Sequence, residues 1–212
     1  MALENINRET LDQIPNMELA SEIYPYIADS PLARMGFDAK KATVLPDRLG
    51  SGNYQLLGQY IPPNQDVKRI DPLISKSFVN YSRNPLDSIS AYSADGSSSR
   101  ESLLATLAHE SAHRGTELLP PEAFEEYGTE SMFDEMRVRV NDYYHGSPRM
   151  KEMAKKYLKR KYDMTVEEAK KLTRYDKIQE AATNYLLDRN RPVRSAPKKY
   201  PPMGTDIRAY FK

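Results

Sequence analysis

The stretch from residue 98 to residue 115 carries the signals of one complete amphipathic helix. Ser98 and, three residues later, Glu101 form a capping box, which is typical of a helix N-terminus. Gly115 is predicted to end the helix, because glycine is common just beyond the last helical residue. One face carries an apolar stripe formed by Leu103, Leu104, Leu107, Ala108 and Ala112. The fold must therefore pack this helix against a core and leave its other face exposed.

The same helix carries two of the chain's three histidines. His109 and His113 are four residues apart, so their side chains lie on one exposed face, one turn from each other. Two imidazoles in that arrangement can bind one Zn²⁺, which acidifies a water molecule. Glu110, about 100° around the helix, can take the proton from that water. The pattern predicts zinc ligation by His109 and His113 with Glu110 as general base; the alternative is a polar helix face with incidental histidines.

A catalytic zinc usually takes three protein ligands and leaves one position open. The chain has no cysteine, and Leu119 stands where the pattern HExxHxxGxxH would place a third histidine. A glutamate on the next helix is therefore the expected third ligand. That helix is predicted to start at the capping residue Thr129 and to stop at Gly146 and Pro148.

Two glutamates of that next helix are candidates for the third ligand, and the sequence leaves both open. Glu130 is followed four residues later by Asp134, which could orient a ligand histidine by accepting its other ring proton. Glu135 lies deeper in the helix and has Arg139 four residues on to hold it. We favour Glu135, because a glutamate in the first turn ordinarily interacts with the helix dipole.

The remaining histidine, His145, is a candidate for stabilising a tetrahedral oxyanion. The alternative for His145 is an exposed position at the helix end, beside a glycine. Tyr127, Tyr143 and Tyr144 are candidates for the same oxyanion role, and each is individually a weak signal.

Other parts of the chain predict short strands and further helices. Residues 3 to 28 have helical spacing that Pro15 and Pro25 are expected to break. The segments "YQLLGQYI", "DVKRIDPLIS" and "SISAYSA" are predicted strands. Helices are expected over about 149–162 and, from the cap Thr165, over about 166–190.

Composition and charge limit the environment and the partners of the chain. With 212 residues, no cysteine, no signal-peptide pattern and no apolar stretch of membrane-spanning length, it is expected to be soluble and cytoplasmic at synthesis. Residues 1–148 carry 13 Lys/Arg against 22 Asp/Glu, whereas residues 149–212 carry 18 against 8. This asymmetry indicates an intramolecular or oligomeric complement, or a solvated helix face. Nucleic-acid association through the basic C-terminal third is the weaker alternative, because no nucleic-acid-binding motif accompanies the charge.

The histidine pair and the downstream glutamate resemble the site of the zincin metallopeptidases, specifically the gluzincin-like proteins with HExxH and a later Glu. The stretch "TLAHESAHRG" and its flanking segments are also similar to small metallopeptidase-like proteins encoded by tailed phages. The resemblance covers about residues 50–145. It implies an α+β, mainly α-helical fold: a minimal zincin-like domain whose small sheet packs on the HExxH helix and whose edge strand aligns a peptide substrate.

The expected organisation has four segments. They are an N-terminal helical extension (1–48), a zincin-like metallopeptidase domain (49–148), a basic helical region (149–190) and an extended Pro-rich basic tail (191–212). The first functional hypothesis is a zinc metallopeptidase acting on a protein or peptide substrate. The alternative is a structural or assembly protein of a virus particle, virion-associated and docked to other proteins, whose metal site is silent or structural.

Overall fold

The structure is a computed structural model that describes residues 16–45, 57–66, 86–92, 100–124 and 131–188. Within these residues the chain is mainly helical with one small mixed sheet, which confirms the predicted α+β, mainly α-helical class. No helix in this part of the chain is both long enough and apolar enough to cross a membrane. The elements, in chain order, are α1 (Asn16–Ile27), α2 (Pro31–Gly36), β1 (Ala42–Leu45), β2 (Gly58–Ile61), β3 (Ser88–Tyr92), α3 (Arg100–Leu118), a 3₁₀ turn (Pro121–Ala123), α4 (Ser131–His145), α5 (Pro148–Tyr162), α6 (Val166–Leu172) and α7 (Tyr175–Leu187).

Several sequence predictions fall outside the described residues. They are the helical spacing before residue 16, most of the strand "DVKRIDPLIS", the caps Ser98 and Thr129, the side chains of Tyr127 and Glu130, and the tail over 191–212.

The three strands form a sheet in the order β1-β3-β2. Ile89 of β3 lies opposite Ala42 of the parallel strand β1 and opposite Tyr60 of the antiparallel strand β2. Both β2 and β3 contact α3 and lie within predicted strands. Strand β1, which pairs with β3, is not predicted by the sequence pattern. The domain boundary predicted after residue 48 falls between β1 and β2, which belong to the same sheet.

Two helices continue past the residues predicted to end them. Helix α1 contains Pro25 and ends two residues later at Ile27, so the proline removes one N–H donor near the end without stopping the helix. Helix α3 continues through Gly115 and ends at Leu118.

Gly115 lies at the contact between α2 and α3 and does not end the helix. A Cβ atom added to Gly115 would lie 2.1 Å from the carbonyl oxygen of Leu32, and one added to Gly36 would lie 1.8 Å from that of Ser111. Both glycines are buried. The backbones of the two helices therefore touch at a point where no side chain fits, which fixes the position of α3 relative to α2.

We expect Gly115→Ala to destabilise the protein. The added methyl group must displace backbone, and such overpacking costs more than the roughly 1 kcal/mol by which alanine is the better helix former. Urea unfolding should show a net loss of about 1–3 kcal/mol. The control Lys156→Ala, at an exposed position of α5, should change the unfolding free energy little. A stabilised Gly115→Ala variant would contradict the close contact of α2 with α3.

Helix α4 lies between two hydrophobic clusters. Phe133, Met136 and Val140 pack into a cluster with α5 and α6. On the other side of α4, Val138 belongs to a larger cluster formed by α1, α2, α3, α7 and the sheet. With both sides anchored, α4 cannot rotate about its axis without breaking one of the two clusters.

The C-terminal helical region follows its prediction at the start and departs from it later. Thr165 is the cap, as predicted, and Glu168 completes a capping box with it. The single helix expected over 166–190 is two helices, α6 and α7. Arg174 between them has a left-handed backbone, with φ of 50°. This turn buries Tyr175, whose hydroxyl donates to Asn141 Oδ1 at 3.0 Å. Tertiary packing therefore overrides a helical periodicity that looks continuous in the sequence.

Arg114, the residue after His113, ties α3 to two neighbouring segments. Its Nε and Nη2 donate to the carboxylate of Asp87 at 2.8 and 3.3 Å, and its Nη1 donates to the carbonyl oxygen of Gly36 at 2.9 Å. Lys41 pairs with the same carboxylate. These contacts hold the end of α3 that carries the histidines against α2 and the start of β3.

We expect Asp87→Asn to destabilise the protein in a pH-dependent way. Burial alone would raise the pKa of Asp87, but hydrogen bonds from Arg114 and Lys41 hold it below its ordinary value. Such a carboxylate stabilises the fold above its unfolded pKa of about 3.9 and loses that effect as the pH falls through the folded-state pKa. Urea unfolding of the variant should show a loss of about 1–3 kcal/mol at pH 7 that shrinks below about pH 4.

Asp163→Asn is the matched control for this experiment. Asp163 also has a left-handed backbone, with φ of 55°, and also pairs with a lysine, but it is exposed. An exposed ion pair contributes little, so this variant should resemble the wild type. A loss at Asp87 that does not change with pH would contradict the ionic role assigned to its carboxylate.

Candidate metal centre

His109 and His113 face α4 in the interior of the protein. His109 is 8% exposed, and the side chain of His113 is 13% exposed. The expectation of an exposed face is therefore wrong, because α4 packs over it in the antiparallel sense: His109 contacts Asp142, and His113 contacts Asp134. The two Nε2 atoms lie 3.3 Å apart.

One carboxylate of α4 orients each imidazole. His109 Nδ1 lies 2.7 Å from Asp142 Oδ2, and His113 Nδ1 lies 2.8 Å from Asp134 Oδ2. An ionised carboxylate only accepts hydrogen bonds, so each Nδ1 donates and carries a ring proton. In the neutral ring, Nε2 then keeps its lone pair, which is the state that a metal-ligating histidine requires.

Glu135 of α4 brings a third donor to the same point. Its Oε2 lies 3.3 Å from His113 Nε2, and one donor atom from each of His109, His113 and Glu135 lies within 4.8 Å of the others. A tetrahedral zinc site with bonds of about 2.0–2.1 Å places its donors about 3.3–3.4 Å apart. The two observed separations match that spacing, so this group could hold a metal ion. Glu130, the alternative third ligand, lies outside the described residues.

The charges of this group also favour a cation among the three donors. Two imidazole lone pairs and a carboxylate face one another in a largely buried place, where their mutual repulsion is weakly screened. A metal ion or a proton between them removes that repulsion. The donor set therefore fits a metal, and a proton is its natural competitor at low pH.

In the metal-free group, the pKa values reflect the attraction between the carboxylates and a protonated imidazole. Burial alone would lower the pKa of His113, but the charge of Asp134 and the hydrogen bonds to Asp134 and Glu135 hold it well above its ordinary value. Burial alone would raise the pKa of Glu135, but the hydrogen bond from His113 and the charges of His109, His113 and Arg139 hold it far below its usual range. Glu135 therefore stays ionised, as a metal ligand must be.

Glu110 is buried on α3 between the histidines and strand β2. It is 7% exposed, and burial raises the pKa of its carboxyl, while the charges of His109 and His113 act in the opposite direction. A Cβ atom added to Gly58 of β2 would lie 2.9 Å from Glu110 Oε1. The glycine thus leaves room for the carboxylate beside the strand backbone.

Arg139 and Asp142 complete the polar face of α4. Arg139 Nε donates to Glu135 Oε1 at 2.7 Å, which is the contact predicted from their spacing. Asp142, which orients the ring of His109, is assigned no role by the sequence pattern. Its signal is the spacing from Glu135, seven residues, which is two turns along one face.

The predicted oxyanion stabilisers are engaged elsewhere or lie outside the described residues. Burial lowers the pKa of His145, which has Asp29 as a charged neighbour, and within the described ranges no hydrogen bond or ion pair joins it to the ligand group. Tyr144 donates its hydroxyl to Glu167 at 2.6 Å, and Tyr143 packs edge-on against the Tyr144 ring. None of these three side chains is brought to the histidines.

Comparison with protein-family models, curated proteins and solved structures gives no significant match. The candidate site is therefore defined by its geometry alone. Two antiparallel helices, α3 and α4, bring two histidines and a glutamate to one point, and a second glutamate lies beside them.

We expect Glu135→Gln to weaken zinc binding at least about tenfold, because the neutral amide replaces an ionised donor without changing the side chain's shape. The affinity can be measured by competition with a chromogenic chelator. Glu122→Gln, at an exposed position outside the site, is the control and should bind like the wild type. Wild-type affinity in Glu135→Gln would mean that the third donor comes from another residue, with Glu130 the first alternative.

Proposed function

We propose that this chain is a zinc-dependent metallopeptidase with a minimal zincin-like fold. The observation that carries the proposal is the convergence of His109, His113 and Glu135, with Glu110 next to them on the same helix as the histidines. Two imidazoles and one carboxylate are a typical ligand set of catalytic zinc, whereas calcium and magnesium favour oxygen donors alone. The sheet against α3, with α4 across the site, supports the zincin-like reading of the fold.

Each residue of the group then has one chemical role. Bound zinc would supply a Lewis acid that polarises a carbonyl and lowers the pKa of water. The imidazoles of His109 and His113 and the carboxylate of Glu135 would hold the ion, while Asp142 and Asp134 keep the imidazole protons on Nδ1. The carboxylate of Glu110 accepts a proton from the attacking water and can return it to the leaving amine. Burial of Glu110 makes its carboxylate a stronger base than an exposed one.

The position of β2 supports a peptide as the substrate. In the described sheet β2 is an edge strand, with β3 as its described partner, and its Gly58 backbone lies beside Glu110. An extended peptide that adds to this edge would run past the proposed general base. Hydrogen bonding between strand backbones would hold the scissile carbonyl in register, independently of side-chain sequence.

The experiment that tests the proposal compares zinc content and peptide hydrolysis in Glu110→Gln. The amide cannot accept a proton as the carboxylate does, so hydrolysis of a quenched fluorescent peptide mixture should fall at least about 100-fold. Zinc content should stay at wild-type level, because Glu110 is not one of the three donors. Glu101→Gln, at the exposed start of α3, is the control and should keep both properties.

Two outcomes would contradict the metallopeptidase proposal. One is hydrolysis at the wild-type rate in Glu110→Gln. The other is a folded, zinc-loaded wild type that cleaves neither the peptide mixture nor a denatured protein. The second outcome would favour the alternative function, a structural or assembly protein of a virus particle with a silent metal site.

A further inference from the structure

Arg139 of α4 contacts two carboxylates that have different tasks at the metal centre. Its Nε donates to Glu135 Oε1 at 2.7 Å, and its Nη1 lies 3.4 Å from Asp142 Oδ2. Glu135 supplies the third donor, and Asp142 orients the ring of His109. The guanidinium of Arg139 therefore contacts both Glu135, the third donor, and Asp142, the partner of His109.

The planar shape of the guanidinium matters for this link. Nε and Nη1 are held at a fixed separation in one plane, so a shift of the group moves its contacts with both carboxylates together. A lysine at the same place would keep the charge but offers one rotating ammonium, which cannot reproduce the two-point geometry. If Arg139 only balances charge, Arg139→Lys should leave the site unchanged. If Arg139 positions both carboxylates, Arg139→Lys should disturb it.

The second neighbour of Arg139 comes from α5. The guanidinium carbon of Arg139 lies 4.5 Å from the centroid of the Tyr157 ring, a cation–π contact on a side chain that is 20% exposed. Leu158, the residue after Tyr157, is completely buried in the cluster with α4, which fixes Tyr157 over Arg139. The Tyr157 hydroxyl points to another partner, because it accepts a hydrogen bond from Lys161 at 3.1 Å.

We propose that Arg139, held beneath the ring of Tyr157, is a positioning residue that fixes Glu135 and Asp142 together in the arrangement that binds zinc. Helix α5, which the sequence assigned to a separate basic region, is then part of the metal centre. The inference rests on the metal site of the proposed function but not on peptide hydrolysis.

The test is zinc affinity in three single variants, measured by chelator competition. Arg139→Lys should bind zinc about 10–100-fold more weakly, as expected when a side chain that supports a ligand is lost. Tyr157→Leu should bind about threefold to tenfold more weakly, because the ring that holds Arg139 is gone. Tyr157→Phe keeps the ring and loses the hydroxyl, which contacts Lys161 and Tyr162, so it should match the wild type.

A double variant tests whether Tyr157 acts through Arg139. In the background of Arg139→Lys, adding Tyr157→Leu should weaken zinc binding by less than twofold, because the contact that Tyr157 supports has already changed. A full additional loss would overturn the role given to Tyr157.

Two further measurements separate positioning from general stability. The visible absorption spectrum of Co²⁺ bound in place of zinc reports the ligand geometry, and it should change in Arg139→Lys and Tyr157→Leu but not in Tyr157→Phe. The unfolding free energy of the metal-free variants should not account for the lost affinity. Unchanged affinity and an unchanged Co²⁺ spectrum in Arg139→Lys would overturn the proposal.

These outcomes are distinguishable from failure of the proposed function. A wild type that binds zinc, together with variants that bind it weakly, supports the inference even if no peptide is cleaved. A wild type that cleaves peptides with zinc, together with an unaffected Arg139→Lys, overturns the inference alone. A wild type that binds no zinc overturns both.

Discussion

The pairing of each histidine of α3 with one aspartate of α4 is the interaction on which the candidate site depends. Because Asp142 and Asp134 accept hydrogen bonds from the Nδ1–H groups, the Nε2 atoms of both rings point to one place, 3.3 Å apart. Glu135 adds a carboxylate at the same separation from His113. Three donors this close repel one another in a buried environment, and a cation is the simplest way to remove that repulsion. Either a metal ion or a proton on His113 can therefore balance the charges of this group.

The rest of the described structure keeps these two helices in place. Gly36 and Gly115 let α2 and α3 meet backbone to backbone, and Arg114 ties the histidine end of α3 to Asp87. Helix α4 is anchored by one hydrophobic cluster on each side, so its polar face is held toward α3. A metal site tolerates shifts of its donor atoms of only a few tenths of an ångström. The contacts that hold α3 and α4 therefore position the donor atoms as well as stabilise the fold.

The sequence predicts the parts of the site that depend on local spacing. The i, i+4 histidines and the adjacent Glu110 follow from spacing along α3, and Glu135 with its partner Arg139 follows from spacing along α4. The structure brings the two sets together. The class of fold and the helix cap at Thr165 follow from local patterns too.

The features that the sequence does not predict depend on contacts between distant segments. Gly115 looks like a helix end, because the approach of α2 that explains it cannot be read from α3 alone. Strand β1 is defined only by its pairing with β3. The helix break at Arg174 is explained only by the burial of Tyr175. The role of Tyr157 likewise needs the packing of α5 on α4.

A crystal structure of the zinc-loaded protein, with anomalous scattering recorded at the zinc edge, tests the metal centre most directly. We expect one zinc bound by the Nε2 atoms of His109 and His113 at about 2.0–2.1 Å and by a carboxylate oxygen of Glu135 at about 2.0–2.2 Å. Zinc bound away from the two histidines, or protein that takes up no zinc from solution, would contradict the metal centre.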